Sequence, residues 1–280
     1  MKNLAKMFTT GLLALLVLFS ASSSPAQQNY TMGVHPYKKP ALLAEMFKPL
    51  IAYLEKEIGA TISFRSSKNY SAHMERIRNG DYDIFYMGPS LYAMISDSHP
   101  DKVRIAATVV NKGSPTFKGV VVVKEDSPIV SLTDLRGKKM AFGDRSSTLS
   151  CYVPAYMLME AGVFDSMEYR FVGSHDNVAK GVLKGLFDAG GLKPGVAKSY
   201  VGKGLKVIAE SEPVFEHVIG VSANLDDETV EKIRAALANI QNPEVYTSIK
   251  SSLTGFEVTK SSDYDNLRTI MKTVDAKIPQ

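Results

Sequence analysis

Apolar residues fall into two alternating patterns along this chain. Short continuous runs suited to strands alternate with longer stretches in which apolar positions recur at helical spacing. "YTMGV" (30–34) predicts a strand, and "ALLAEMFKPLIAYLEKEIG" (41–59) predicts a helix closed by Gly59. "TISFR" (61–65) and "YDIFYM" (82–87) predict further strands, followed by helices at "SAHMERIRNG" (71–80) and "PSLYAMIS" (89–96), the latter with Pro89 suited to its first turn. Three βα units in succession argue for a sheet with helices on its faces.

The rhythm then breaks. "VRIAATVV" (103–110) and "GVVVVKED" (119–126) predict two strands with an extended connection between them. A second series of βα units follows at "KKMAFG" (138–143), "YRFVG" (169–173) and "FDAGGL" (187–192), then two more extended stretches at 205–211 and 217–223. Helices at 226–240, near 243–249 and at 262–275 complete the chain. Two series separated by crossings near 110–119 and 211–218 predict an α/β protein of two lobes, the second inserted into the first. Lobe one takes 27–114 and 215–280 and lobe two takes 115–214. Each has a mostly parallel sheet flanked by helices, and two strands form the hinge. A single larger sheet is the competing arrangement.

The first residues stand outside that rhythm. "MKNLAKMF" brings two lysines, "GLLALLVLF" a short apolar run, and "SASSSPA" small residues suited to cleavage near Ala26–Gln27. This is the order of an export signal, and the apolar run is short for a membrane span. The net charge of +4 falls once those lysines leave, and no basic stripe points to nucleic acid. Cys151 is the only cysteine, which excludes a disulfide and a thiolate metal cluster.

In parallel α/β sheets, ligands collect at the carboxyl ends of strands. The loops expected there are "HPYKKP" (35–40), "SSKNY" (66–70), "MGPS" (87–90), "GDRSST" (143–148), "GSHD" (173–176) and "GLKPG" (191–195). They offer hydroxyls, tyrosines, histidine and lysine rather than concentrated carboxylates, a composition suited to an anion. Ser146, Ser147 and Thr148 stand where a strand becomes a helix. There they can cap the helix or, with free N–H groups of the first turn, hold an anion. Pro154 predicts one turn from about 148, a bend, then helix to Ala161. His175 falls in the first turn of the next helix and can donate to an oxyanion. Tyr37, Tyr70 and Ser90 offer hydroxyls from lobe one, and Lys193 can balance ligand charge. For each, the ordinary alternative is capping, packing or a solvated side chain. No Gly-x-Ser-x-Gly, Walker or His-Glu-x-x-His motif occurs, and no metal or cofactor is expected. An enzyme would have to rely on Cys151, beside the hydroxyl loop, as its nucleophile.

The segments "DIFYMGPSLY" (83–92), "AFGDRSSTLSCYVPAYML" (141–158), "FVGSHDNVAKGVLKGLFDAG" (171–190) and "SDYDNLRTIM" (262–271) resemble the phosphonate-binding-like periplasmic proteins of ABC importers. The resemblance implies a two-lobed periplasmic binding protein of type II-like fold that holds a small molecule, often a phosphorus oxyanion, between its lobes. Ser147 and Thr148 match the family's serine–threonine pair, His175 its histidine, and Tyr70 an aromatic of the lobe-one wall. Leu149 and Ser150 replace the third hydroxyl and glycine common in the family. "GLKPG" replaces the small or acidic residue that would face an amine, and Lys193 argues against an amine-bearing ligand. The expectation is a monomeric periplasmic protein without catalytic activity that passes a small anion to an ABC permease. A ligand sensor docked on a membrane histidine kinase is the alternative.

Overall fold

A computed structural model describes residues 28–279, so the expected export signal lies outside the described residues. The first three units are β1 (Asn29–Val34) with α1 (Pro40–Ile58), β2 (Thr61–Ser66) with α2 (Tyr70–Asn79), and β3 (Ile84–Met87) with α3 (Pro89–Ser98). β4 (Val103–Asn111) leads through the short β5 (Thr116–Phe117) to β6 (Val120–Lys124). Next come β7 (Lys139–Phe142), α4 (Val153–Glu160), β8 (Glu168–Phe171), α5 (His175–Leu183), β9 (Ala189–Leu192), α6 (Pro194–Tyr200) and β10 (Leu205–Glu210). The chain returns by β11 (Val214–Phe215) and β12 (Val218–Ser222). It ends with α7 (Asp227–Ala238), α8 (Glu244–Thr247), β13 (Leu253–Glu257) and α9 (Asp265–Asp275).

Local signals set many of these boundaries. α1 starts on Pro40 and stops where Gly59 turns left-handed, and Leu43, Phe47, Leu50 and Leu54 bury one stripe of it. Asn69, Ser174 and Asp226 cap α2, α5 and α7 by accepting the N–H of Ala72, Asn177 and Thr229. The edge strand β13 was not anticipated. Its interior holds Gly255 at φ 148° beside a register shift, a weak strand pattern.

The strands build a six-stranded sheet in the order β13-β4-β12-β3-β1-β2 and a five-stranded sheet in the order β10-β6-β9-β7-β8. This is the expected α/β arrangement of two lobes, but both sheets are mixed rather than mostly parallel. β1, β2 and β3 run parallel, as do β7, β8 and β9. β12 lies antiparallel between β3 and β4, and β6 antiparallel between β9 and β10. The cause is the crossing itself. β4 and β10 run out of their lobes in the direction of the parallel strands, so the strands that enter from the other lobe run the opposite way. The two crossings pair as β5 with β11, Val214 opposite Phe117, which makes the hinge a two-stranded ribbon.

Helix α1 and α7 cover one face of the first sheet, with Phe47, Leu50, Val230 and Ile233 in one core. Val178 and Val182 of α5 pack on Val120, Val122 and Leu192 of the second sheet. A third core is shared between the lobes. In it Leu267, Ile270 and Met271 of α9 meet Tyr92 of α3 and Leu158 of α4. The end of α9 also reaches lobe two through Arg145, which donates to Asp275 at 2.5 Å and to the carbonyl of Ile278, with its guanidinium 4.8 Å from the Tyr152 ring centre.

Two packing details have measurable consequences. A methyl group at Gly33 would lie 2.2 Å from the buried Tyr82 ring, so Gly33→Ala lowers unfolding free energy by about 1–3 kcal/mol and depresses the thermal midpoint. On α2, burial drives the pKa of His73 from 6.5 down to about 3. Through that window the unfolded chain binds a proton that the folded chain excludes, so stability falls as pH drops from 6.5 toward 3 and levels off below. His73→Phe makes that part of the profile shallower, while His35 and His175 keep their share of the slope, as read by urea titrations at neutral and acidic pH.

Candidate functional site

The carboxyl ends of β1, β2 and β3 face those of β7, β8 and β9. Three hydrogen bonds and one cation–ring approach fix the juxtaposition. The Ser90 N–H, in the first turn of α3, donates to Thr148 Oγ1 at 3.0 Å. The Thr148 hydroxyl donates to Ser90 Oγ at 2.8 Å, and the Ser90 hydroxyl to the Ser146 carbonyl at 2.6 Å. Lys193 Nζ lies 5.9 Å from the ring centre of Tyr37.

On the lobe-two side the hydroxyl loop is a tight turn. Asp144 accepts the N–H of Ser146 at 2.8 Å, and Ser147 caps the following turn by accepting the N–H of Ser150 at 3.3 Å. Residues Thr148–Tyr152 form a π-helical turn that passes into α4 at Val153, the turn-then-helix course expected from Pro154. Proline has no N–H to donate and cannot continue a regular ladder, which suits the wider turn before it. Buried Ser150 ties the turn to the sheet, donating to the Gly191 carbonyl at 2.7 Å and accepting the Gly143 N–H at 2.9 Å.

His175 stands in the first turn of α5. Its Nδ1 accepts the main-chain N–H of Lys193 at 3.2 Å, which leaves the ring proton on Nε2. Burial, then the charges of Lys193 and His217, lowers its pKa to about 3, so the ring is a neutral donor. Lys193 is itself held below the usual lysine range, first by burial and then by Lys250 and Lys38, with Glu216 opposing.

The lobe-one side is a wall of rings. Tyr70 stacks on His35 at 5.3 Å, Tyr37 is tilted against it at 5.0 Å, and Tyr86 and His217 meet it edge-on at 5.6 and 5.4 Å. Burial raises the Tyr70 phenol to about 12, with Asp144 adding to the shift, so its hydroxyl keeps its proton. At the hinge, Glu216 accepts from His217 Nδ1 at 2.7 Å and from Asn111 Nδ2 at 3.2 Å. Burial raises the Glu216 pKa, but the hydrogen bond and charge of His217 outweigh it and the carboxyl stays below its ordinary value.

The candidate hydroxyls pair in different ways. Ser146 takes part through its carbonyl, Ser147 is an N-cap, and Thr148 and Ser90 bind each other across the lobes. Lys193 approaches Tyr37, His175 bonds the Lys193 N–H and Tyr70 stacks on His35. His35, Tyr86, Glu216 and His217 were not singled out. His35 heads a loop already marked by the strand-end rule, whereas Glu216 and His217 sit on the second crossing, which that rule does not cover. The Cys151 thiol is buried and its pKa pushed up to about 12, by burial first, so it is not poised as a nucleophile. Among the described residues no group of three or more His, Cys, Asp or Glu is arranged to hold a metal ion. An open groove of about 1030 Å³ lies elsewhere, on the outer face between α1 and α7, and none of these residues lines it.

Comparison with known proteins places this geometry in context. A phosphate-import protein PhnD of Mycolicibacterium smegmatis is 25% identical over 241 residues, covering 80% of this chain and 75% of that protein. A probable ABC transporter phosphite-binding protein, PhnD1 of Prochlorococcus marinus, is 29% identical over 189 residues, 63% of each chain. The solved structure of PhnD1 from Prochlorococcus marinus with methylphosphonate has the same fold, with a TM-score of 0.77 at 20% identity, covering 89% of this chain and 98% of that one. The family described as "ABC transporter, phosphonate, periplasmic substrate-binding protein" matches residues 32–264, and the chain belongs to that family.

Proposed function

We propose that this protein captures a small phosphorus oxyanion, of the phosphate, phosphite or phosphonate type, between its lobes and presents it to an ABC permease of the inner membrane. The observation that carries this reading is the meeting of donors from both lobes at one gap. The Ser147 hydroxyl and His175 Nε2–H come from one side and the tyrosines of the ring wall from the other, at the place where Ser90 and Thr148 bond across the lobes. Helix starts supply unpaired N–H groups and the positive end of the dipole, which favour an anion. The proposed lobes are 27–114 with 215–280, and 115–214. The hinge ribbon β5–β11 is a slender connection about which they can open.

The relatives named for phosphate and phosphite import support the ligand class, and the family match supports transport over kinase-coupled sensing. Lys193 lines the side opposite the ring wall, and Glu216 is already engaged by His217 and Asn111, so an amine-bearing ligand finds no free carboxylate partner at either. We take the protein to act in the periplasm as a monomer after cleavage near Ala26–Gln27, and to bind its ligand without transforming it.

Each hydrogen bond to a charged ligand contributes about 1.5–3 kcal/mol. Titration calorimetry with phosphate, phosphite and methylphosphonate is expected to show tight binding of at least one of them. The combined Ser147→Ala, Thr148→Ala and His175→Ala variant is expected to lose that binding while keeping a cooperative melt. Unchanged affinity in the triple variant would refute the site. His175→Ala alone is expected to weaken binding by about tenfold or more.

A further inference from the structure

His35 follows β1 directly and is only 2% exposed, yet neither Nδ1 nor Nε2 has a hydrogen-bond partner. Buried polar groups are nearly always paired, and an orphaned one is destabilising, so its retention calls for an explanation. The ring lies in the wall of the gap, against Tyr37, Tyr70, Tyr86 and His217, and close enough to Lys193 of the other lobe to feel its charge. His73 shares the deficit, but its ring meets only Tyr82 and His35. Burial, then His217, His73 and Lys193, hold the His35 pKa well below its usual value, so the ring is neutral.

A neutral imidazole carries one N–H and one bare nitrogen in either tautomer. What sets this position apart is that both ring nitrogens are buried with no partner in the protein, whereas several neighbouring groups are already engaged. His175 Nδ1 accepts from Lys193 N–H, Thr148 Oγ1 accepts from Ser90 N–H, and Ser147 Oγ accepts from Ser150 N–H, while His217 donates its Nδ1–H to Glu216. The Lys193 ammonium only donates, and a phenol oxygen is a weaker acceptor than an imidazole nitrogen.

We infer that His35 is a ligand-contacting, specificity-determining residue whose bare ring nitrogen accepts the hydrogen of a P–OH group, so that the cleft selects protonated phosphorus oxyanions over sulfate and sulfonates. The inference rests on the reading of the gap as an oxyanion site. Phosphate and alkylphosphonates carry a P–OH hydrogen at neutral pH, whereas sulfate and sulfonates of the same shape have none. Those ligands offer the bare nitrogen nothing to accept, and only the N–H of the ring could serve them. A site built to pair a ligand hydrogen rejects the analogue that lacks it far more strongly than an apolar site rejects a change of size.

The test compares phosphate and methylphosphonate with sulfate and methanesulfonate by calorimetry at neutral pH, on the full protein and on His35→Phe and His35→Asn. The native protein is expected to prefer the phosphorus probe by about 100-fold or more. His35→Phe is expected to lose about 10- to 100-fold of affinity for it and little for the sulfur analogue. His35→Asn, which keeps a donor and an acceptor, is expected to retain most of the preference. An unchanged preference in His35→Phe overturns the inference and leaves the oxyanion reading standing. Failure of the native protein to bind any phosphorus probe overturns both. Should His35→Phe not fold, the side-chain ¹⁵N resonances of the native protein decide. The bare nitrogen of His35 is expected to shift with methylphosphonate and not with methanesulfonate, and no shift with either overturns the inference.

Discussion

The hydroxyl of Thr148 takes the N–H of Ser90 across the two lobes, and the geometry of the whole gap depends on that contact. It brings the start of α3 against the π-turn that precedes α4, two elements whose positive ends would otherwise repel. With that approach set, Lys193 of one side comes close to Tyr37 in the ring wall of the other. The same approach is supported from behind, where α9 packs on α3 and α4 and Arg145 grips Asp275. The lobes thus meet at the front through hydroxyls and at the back through an apolar core shared between them.

Charge in the gap is arranged by burial and pairing rather than by a surplus of cations. The His175 and His35 rings are neutral, Glu216 keeps its negative charge by its bond to His217, and Lys193 approaches the Tyr37 ring. Neutral donors of fixed orientation hold an anion without the desolvation cost of burying several full charges, and they respond to where the ligand's hydrogens and lone pairs lie.

Much of the fold was legible because its signals are local. A run such as "VVVV" in β6 or the apolar stripe of α1 needs no knowledge of distant residues. Strand direction was less legible: whether β12 runs with or against β3 depends on where the chain has been in between, which a local pattern does not record. Gly255 hides β13, since a glycine inside so short a run weakens the strand signal. For the candidate site, the strand-end rule pointed to Ser147, Thr148, His175, Tyr37, Tyr70, Ser90 and Lys193 because each follows a strand. It did not reach Glu216 and His217, which enter by the hinge, or Tyr86, which lies within β3. Nor could it tell that the Thr148 hydroxyl meets Ser90, a partner 58 residues away in sequence.

The position of β12 has a consequence for how the molecule comes into being. This strand sits inside the first sheet, bonded to β3 and β4 on either side, yet it is made after every residue of the second sheet. During N-to-C synthesis the second sheet has all its strands before the first sheet can close, so the earlier half of the chain waits with an unfilled slot between β3 and β4. Pairings of such long sequence separation are slow to form. A chain of this topology therefore carries an open β-edge for much of its folding, and protection of that edge during export becomes part of what the fold demands of its surroundings.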